Sequence, residues 1–564
     1  MKGLRVLYHI VRADFYERFR RYNVLIIIGL TIFLTALYLP PQGVGRLSFN
    51  VGGYRGIYNS AWVGATVTIL TVIFMSLPGF YLVKNAISRD ERTGVGQIIA
   101  TTSLSKLQYI FGKVISNWVF LAATAGVAML SAMGIQLLRG EALKISLLGF
   151  LLPYLLLTLP MMVLVAAVAV LFESIRWLRG GFGNVAFFFL FLMSYWMMAA
   201  LTFAALPMTT GAGGPSNPLI PEPTGALEIF RSILAAGNEL VPDYQGGLDL
   251  GNPFQVYGPI NTFVWDGVVW RVPSILGRLL WVGIAVGIAS LAAAFFDRFD
   301  PSSLAIRVRS KETRSRFELD SQLAQPSSPV TLTSITLSTT ASRGSRTSIF
   351  LHIVRSELRL MLKGQRWWWY VVALGLILVA LILPTAESRQ IVLPFACVWP
   401  LLIWSQLGNR EIQNRTDQLV FSAAFPLRRQ LIATWTAGFI LMLIAGSGVI
   451  VRLILASTWN VLFSVVVAAA FIPAAALALG IWSGGSKLFE VVYLLLWTLG
   501  PMNQMMAAVG FPLVADQLLA FDYVGSSDAA ISEGMPLYYA GFTILLLLLA
   551  LIGRKRQLHV LRPV

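Results

Sequence analysis

The chain has 564 residues, of which 57% are hydrophobic and 12% charged, and its mean hydropathy is +0.73. Soluble domains carry roughly 25% charged residues, so half that load with recurring apolar runs excludes an ordinary soluble globule and gives a multi-pass membrane protein. The net charge of +17 does not call for nucleic acid, because the basic residues cluster beside the ends of the apolar runs, as the positive-inside rule requires. A single cysteine, Cys397, rules out an intrachain disulfide, and the three histidines, His9, His352 and His559, all lie outside the apolar runs. A His/Cys metal site therefore has almost no material. No cleavable signal peptide is expected, since a charged stretch precedes the first apolar run and that run lacks a small-residue cleavage site.

Residues Lys2 to Tyr22 have the period of an amphipathic helix. Leu4, Leu7, Tyr8, Val11, Phe15, Phe19 and Tyr22 recur at spacings of three and four, while Arg5, His9, Arg12 and Arg20 line another face. An arginine-rich face opposite an aromatic one suits a helix lying in the headgroup layer. Apolar segments follow at Asn23–Pro40, Ser60–Val83, Val114–Leu138, Ile145–Phe172, Gly181–Ala205 and Ser274–Phe296, each near the ~20 residues that cross a bilayer. Lys84, Arg89, Arg92, Lys106 and Lys113 follow the second segment, Arg176 and Arg179 the fourth, and Arg298, Arg307, Arg309 and Lys311 the sixth. The connection at 206–273 is instead acidic, with Glu222, Glu228, Glu239, Asp243, Asp249 and Asp266. Cytoplasmic termini and an outer acidic loop follow. Within that loop Ala226–Leu234 reads as a half-apolar helix that dips into the outer leaflet, caps the cavity or belongs to a surface domain.

Residues 300–347 change character. Ser and Thr dominate, with Pro301, Pro326 and Pro329 and no hydrophobic period, as in a flexible cytoplasmic linker. The pattern then restarts: Leu351-His352-Ile353-Val354-Arg355-Ser356-Glu357 echoes Tyr8-His9-Ile10-Val11-Arg12-Ala13-Asp14. Spans are expected at Trp367–Pro384, Ile391–Leu407, Leu431–Ser457, Val461–Trp482, Phe489–Leu513 and Leu537–Ile552. The expected fold is all-α and polytopic, with about 12 transmembrane helices as two parallel six-helix repeats (1–299 and 348–564). An interfacial amphipathic helix precedes each repeat.

The polar stretch between the second and third spans is too long for a minimal turn and carries the apolar positions of a short amphipathic helix. It runs Arg89-Asp90-Glu91-Arg92-Thr93-Gly94-Val95-Gly96-Gln97, continues to Thr102-Ser103-Leu104-Ser105-Lys106, and ends at Gly112-Lys113. A weaker copy follows the eighth span, from Arg410-Glu411 through Gln418 to Pro426-Leu427-Arg428-Arg429. These two loops resemble the cytoplasmic loop in membrane subunits of type-2 ATP-binding-cassette (ABC) transporters. There Arg-Glu is followed by Gly-Thr with an acid or Gln, then by Thr-Pro-Leu-Ser-Arg and finally Gly-Lys. Asp90-Glu91, Gly94, Gln97, Thr102, Leu104-Ser105-Lys106 and Gly112-Lys113 match; Ser103 replaces the usual Pro, and the second copy lacks the leading Gly and the final Gly-Lys.

The resemblance implies a permease of the exporting kind, whose loops dock on separate nucleotide-binding ATPase subunits that bind the ATP. It implies coupling residues Arg89, Asp90, Glu91, Arg92, Gln97, Ser105 and Lys106 in the first copy, and Arg410, Glu411, Gln418, Arg428 and Arg429 in the second. It also implies a multi-pass protein of the plasma membrane, surrounded by the lipid bilayer, with an unknown transported substrate. No G-x-x-x-x-G-K-[ST] phosphate loop occurs in the chain, so ATP hydrolysis is expected in the partner and no cofactor in this chain. Reversing Glu91 is expected to depress coupling more than reversing Glu411.

Intramembrane charge is scarce. Arg452 falls inside the ninth span and is a candidate either for the translocation path or for a partner to backbone carbonyls. Glu173 and Arg278 lie near span ends and are expected to snorkel. Pro153, Pro160, Pro394 and Pro400 are expected to kink spans, Trp367–Tyr370 to anchor the seventh span, and Gly283 with Gly287 to permit close helix packing. Two other classes fit less of the chain: a secondary transporter with two six-span halves, and a non-transporting membrane scaffold or sensor. The length of the 84–113 loop and the scarcity of intramembrane acids disfavour the former.

Overall fold

The computed structural model describes residues 2–20, 22–41, 49–51, 53–205, 222–240, 248–249, 260–297, 299, 346–363, 365, 367–413, 416, 426–508, 521–532 and 534–560. The 300–347 linker call lies outside them except for its last two residues, 346 and 347, which begin a helix. Among the described residues six helices are long and apolar enough to cross a membrane, and eight if each of two bent pairs counts as one span. The chain is a multi-pass helical membrane protein.

The first half begins with α1 (Lys2–Phe19) and α2 (Tyr22–Leu37) and continues with α3 (Ser60–Val83), two short helices α4 (Ala86–Arg92) and α5 (Val95–Thr101), and the long α6 (Lys106–Arg139). Then come α7 (Leu147–Pro153), α8 (Leu159–Ser174), α9 (Gly181–Ala205), α10 (Ala226–Leu240) and α11 (Val272–Phe295). A π-helical turn, Tyr154–Thr158, joins α7 to α8 between Pro153 and Pro160. Proline removes a backbone donor, and the widened turn re-registers the ladder. α3 is the buried centre. At Gly64 a Cβ would stand 2.3 Å from the Gly149 carbonyl oxygen, so only glycine lets α3 and α7 approach this closely.

The second half begins with α12 (Arg346–Leu362), turned 107° from α13 (Trp367–Ile382). The eighth apolar run is broken into α14 (Thr385–Glu387), a π turn at Ser388–Val392, α15 (Leu393–Val398) and α16 (Leu401–Trp404), with Pro394 and Pro400 at the starts of the last two. After α17 (Arg410–Gln413) the ninth run bends by 65° between α18 (Pro426–Ala445) and α19 (Ser447–Leu455). α20 (Trp459–Ser483), α21 (Lys487–Trp497), α22 (Asn503–Ala508), α23 (Asp528–Ser532) and α24 (Met535–Val560) complete it. Leu276, Leu279 and Leu280 on α11, Val371, Leu374 and Leu378 on α13, and Ile544, Leu545 and Leu548 on α24 are all exposed. Apolar surface of that extent belongs against lipid rather than water.

The all-α expectation needs one amendment. At the end of the molecule opposite α4 and α5, four strands of two or three residues form a sheet in the order β3-β1-β2-β4: β1 (Asn50–Val51), β2 (Tyr54–Gly56), β3 (Leu248–Asp249) and β4 (Asn261–Phe263). β1 runs antiparallel to β2 and β3, and β2 runs parallel to β4 with Arg55 opposite Thr262. Trp62 lies under this sheet with the rings of Phe49, Phe263 and Trp265 at 5.6, 5.6 and 6.0 Å, and α10 adds Phe230. The described parts of the acidic connection thus form a surface domain, and α10 packs on it rather than dipping into lipid. Gly283 and Gly287 meet no neighbour, so the packing role expected of them is not found.

Candidate docking surface

α1, α4, α5, α12 and α17 gather at the end of the molecule opposite the sheet, where ion pairs join α1 and α4 to α6, and α17 to α12 and α24. α1 packs on α6 through Leu7 and Ile10, which lie beside Gly112, and through the buried Asp14 and Arg18, while Tyr8, Tyr16 and Phe19 stay exposed. The Lys113 ammonium on α6 explains this. It lies 2.9 Å from Asp14 and 2.7 Å from Asp90 Oδ2, and the Tyr109 hydroxyl donates to the same Asp90 oxygen at 2.8 Å. One cation thus joins α1, α4 and α6. A turn further along α1, Arg18 donates to Asn117 Oδ1. Burial, with the nearby Arg89 charge, lowers the Arg18 guanidinium to about 10, leaving it protonated at neutral pH.

The loop turns at Asn85, whose φ of 84° is left-handed, and α4 starts there. Glu173, at the end of α8, is fully buried and does not snorkel. Its carboxylate accepts the backbone N–H groups of Ala86, Ile87 and Ser88 at 2.9, 2.7 and 3.2 Å, and that of Asn85 as well. These are the orphan donors of a helix N-terminus, where a negative charge is also favoured by the dipole. α5 then follows Gly94, itself at φ 78°, and at Gly96 a Cβ would stand 2.7 Å from the Phe299 ring. Ser105 N-caps α6 in a reciprocal capping box with Gln108.

The residues expected to couple therefore divide into two groups. Asp90 is buried in the Lys113 cluster, Ser105 caps α6, and Arg89 pairs with Glu17 at 3.4 Å. Arg92, Gln97 and Lys106 face outward, as does Glu91, which pairs with Arg179 at 3.4 Å. Beside them α5 and the start of α6 expose apolar side chains at the polar end of the protein: Val95 is 41% exposed, Ile98 67% and Leu107 53%. An exposed apolar triad rimmed by charge is the composition of a protein contact surface.

The second copy differs. Arg410 pairs with Glu357 of α12 at 3.7 Å, and Glu411 is held by Arg554 of α24 at 3.4 Å and by Gln430 at 3.2 Å. The Glu411 side chain is 12% exposed against 48% for Glu91, so reversing Glu411 would place a lysine in a buried cluster beside Arg554. Gln418 lies outside the described residues, and of Arg428 and Arg429 only the backbone of α18 is described.

Arg452 donates to the Ile382 carbonyl at 3.0 Å and to that of Leu383. Both acceptors are carbonyls at the end of α13, the kind of backbone partner that was one of the two roles expected of Arg452. Arg278 is buried and donates to the Pro223 carbonyl at 3.2 Å, again in place of snorkelling. Sequence reasoning singled out Glu173 but gave it the wrong role, and it missed Asn184 and Glu490. The available signal was an acid at the end of one apolar run in a chain with only 26 acids, too little to say what it touches. Comparison with known proteins returns no match among family models, curated proteins or solved structures.

Proposed function

We propose that the chain is the permease subunit of an ATP-driven ABC transporter, an exporter, which forms a translocation path and docks separate nucleotide-binding ATPase subunits at the α4–α5 end. The observation that carries this reading is the exposed Val95, Ile98 and Leu107 triad on a loop that is otherwise polar and rigidly held. A solvated connector has no reason to display three large apolar residues, nor to be fixed by Lys113, Glu173 and Phe299. A partner that pushes on α5 would push on a rigid body joined to α1, α6 and α8.

In this reading the α4–α5 end is cytoplasmic, as are both termini, and the protein belongs to the plasma membrane. The basic residues Arg92, Lys106, Arg176 and Arg179 near this end support that orientation. We further propose twelve spans in two parallel repeats. Corresponding packing supports this: α1 lies on α6 as α12 lies on α18, and α8 runs along α11 as α20 runs along α24. The acid of each echoed motif, Asp14 or Glu357, also pairs with a cation from the same region of its half.

Co-purification tests the reading. Tagged wild-type chain should bring down an ATPase carrying a phosphate-binding loop, and Ile98→Asp should lose most of it while keeping the same melting temperature in detergent. Wild-type chain that repeatedly purifies without such an ATPase would overturn it.

A further inference from the structure

The two halves meet through a buried polar chain that begins at the docking loop. Lys84, the residue before Asn85, is 4% exposed, and its ammonium donates to Asn184 Oδ1 at 2.6 Å and to the Leu178 carbonyl at 3.2 Å. The Asn184 amide, at the start of α9, donates to the Glu490 carboxylate at 2.5 Å, and Glu490 belongs to α21 of the other half. Lys487 of α21 returns across the same boundary to the Lys84 carbonyl at 3.4 Å. One turn deeper the contact becomes apolar, with Phe188 and Phe189 ring centroids 6.0 and 6.1 Å from that of Trp497. Asn184 and Glu490 each stand on the first turn of the fifth helical run of their half.

Such a chain is a poor choice for permanent adhesion. Buried ion pairs lose hydration on burial, and apolar side chains of like volume commonly hold an interface as well or better. The same hydration loss makes the contact easy to reverse: on separation, Lys84, Glu490 and Lys487 regain water, whereas separated apolar surfaces would not. The four charges of Lys84, Glu173, Lys487 and Glu490 cancel, so the closed form traps no net charge. Through Lys84–Asn85 and the Glu173 cap, the chain continues directly into α4, whereas the second loop is wired to α12 and α24 within its own half.

We infer that Asn184, Glu490, Lys84 and Lys487 form a hydratable gate between the halves, closed in this structure, and that the first loop alone operates it. The inference rests on the permease reading and deepens it, by assigning to the fifth-run helices the positioning residues of the path. The test uses the complex in inside-out vesicles, with the native thiol removed by Cys397→Ala and a reporter thiol placed behind the gate by Phe188→Cys. A water-soluble maleimide should label the reporter at least tenfold faster during ATP turnover than without nucleotide.

Replacing the chain as a whole, by Lys84→Met, Asn184→Leu and Glu490→Leu together, leaves no buried charge without its partner and should keep the protein folded and bound to its ATPase. That leucine variant should abolish the acceleration of labelling. The milder Asn184→Asp, which sets a carboxylate against Glu490, should raise labelling without nucleotide. Nucleotide-driven labelling that persists in the leucine variant, or reporter labelling that never responds in the wild-type complex, would overturn the gate while leaving the permease reading standing. Failure of the wild type to bind any ATPase would overturn that reading, and the gate with it.

Discussion

Removing the Glu173 carboxylate should free α4 from α8 without unfolding the spans. In Glu173→Ala, the N–H groups of Ala86 and Ile87 lose well-formed acceptors at 2.9 and 2.7 Å, and Ser88 loses a longer one at 3.2 Å. A hydrogen bond to a charged group contributes about 1.5–3 kcal/mol net. Two good ones at the low end give about 3 kcal/mol; the weaker contacts are roughly offset by the desolvation that the buried carboxylate no longer bears. At about 1.4 kcal/mol per tenfold, opening of α4 becomes on the order of a hundredfold more frequent. Hydrogen exchange followed by mass spectrometry reads this directly: peptides covering 86–92 should exchange roughly a hundred times faster, while peptides from α3 and α8 stay unchanged. Glu173→Gln, which keeps one acceptor but adds two donors among the N–H groups, should recover less than half. Unchanged exchange over 86–92 in the alanine variant would mean that the cap contributes nothing to holding the loop.

Three other outcomes follow from the geometry. Lys113→Met leaves the Asp14 and Asp90 carboxylates buried without their cation and should cost about 3–5 kcal/mol, seen as a lower detergent melting temperature; adding Asp14→Asn and Asp90→Asn should restore most of it. Asn85→Gly should be close to neutral because φ is 84° there, whereas Asn85→Val should cost about 1–2 kcal/mol in the same assay. Arg452→Gln, which surrenders the carbonyls of Ile382 and Leu383, should lower stability by about 1–3 kcal/mol yet leave the ATPase rate of the complex intact; a selective change in transport with unchanged stability would instead assign Arg452 to the path.

The placement of several long apolar helices is legible in the sequence, because such a helix is specified mainly by a long apolar run. α3 and α9 occupy the residues expected of them, and the expected kinks at Pro153, Pro394 and Pro400 coincide with π turns or helix starts. The 65° bend before Ser447 leaves less trace, since Gly446 in an apolar run reads as a tolerated interruption. The sheet is illegible for another reason: strands of two or three residues are too short for any period of two, and their pairing joins residues about 200 apart.

At the α4–α5 end the outward residues Arg92, Gln97 and Lys106 were accessible to pattern reading, because a charged rim needs no tertiary knowledge. Asp90, Ser105 and Arg89 belong to the same motif but have partners supplied by α1 and by the start of α6. Glu173, Asn184 and Glu490 are lone polar residues in separate apolar runs, and only their spatial convergence gives them meaning.

If α5 is a protein contact, a photo-crosslinker placed at Ile98 in native membranes will capture the partner. The expected product is a covalent adduct with a nucleotide-binding ATPase subunit, lost when Val95 and Leu107 are both changed to Asp. Adducts with lipid alone, or none, under conditions where a crosslinker at the exposed Trp367 captures lipid, would contradict it.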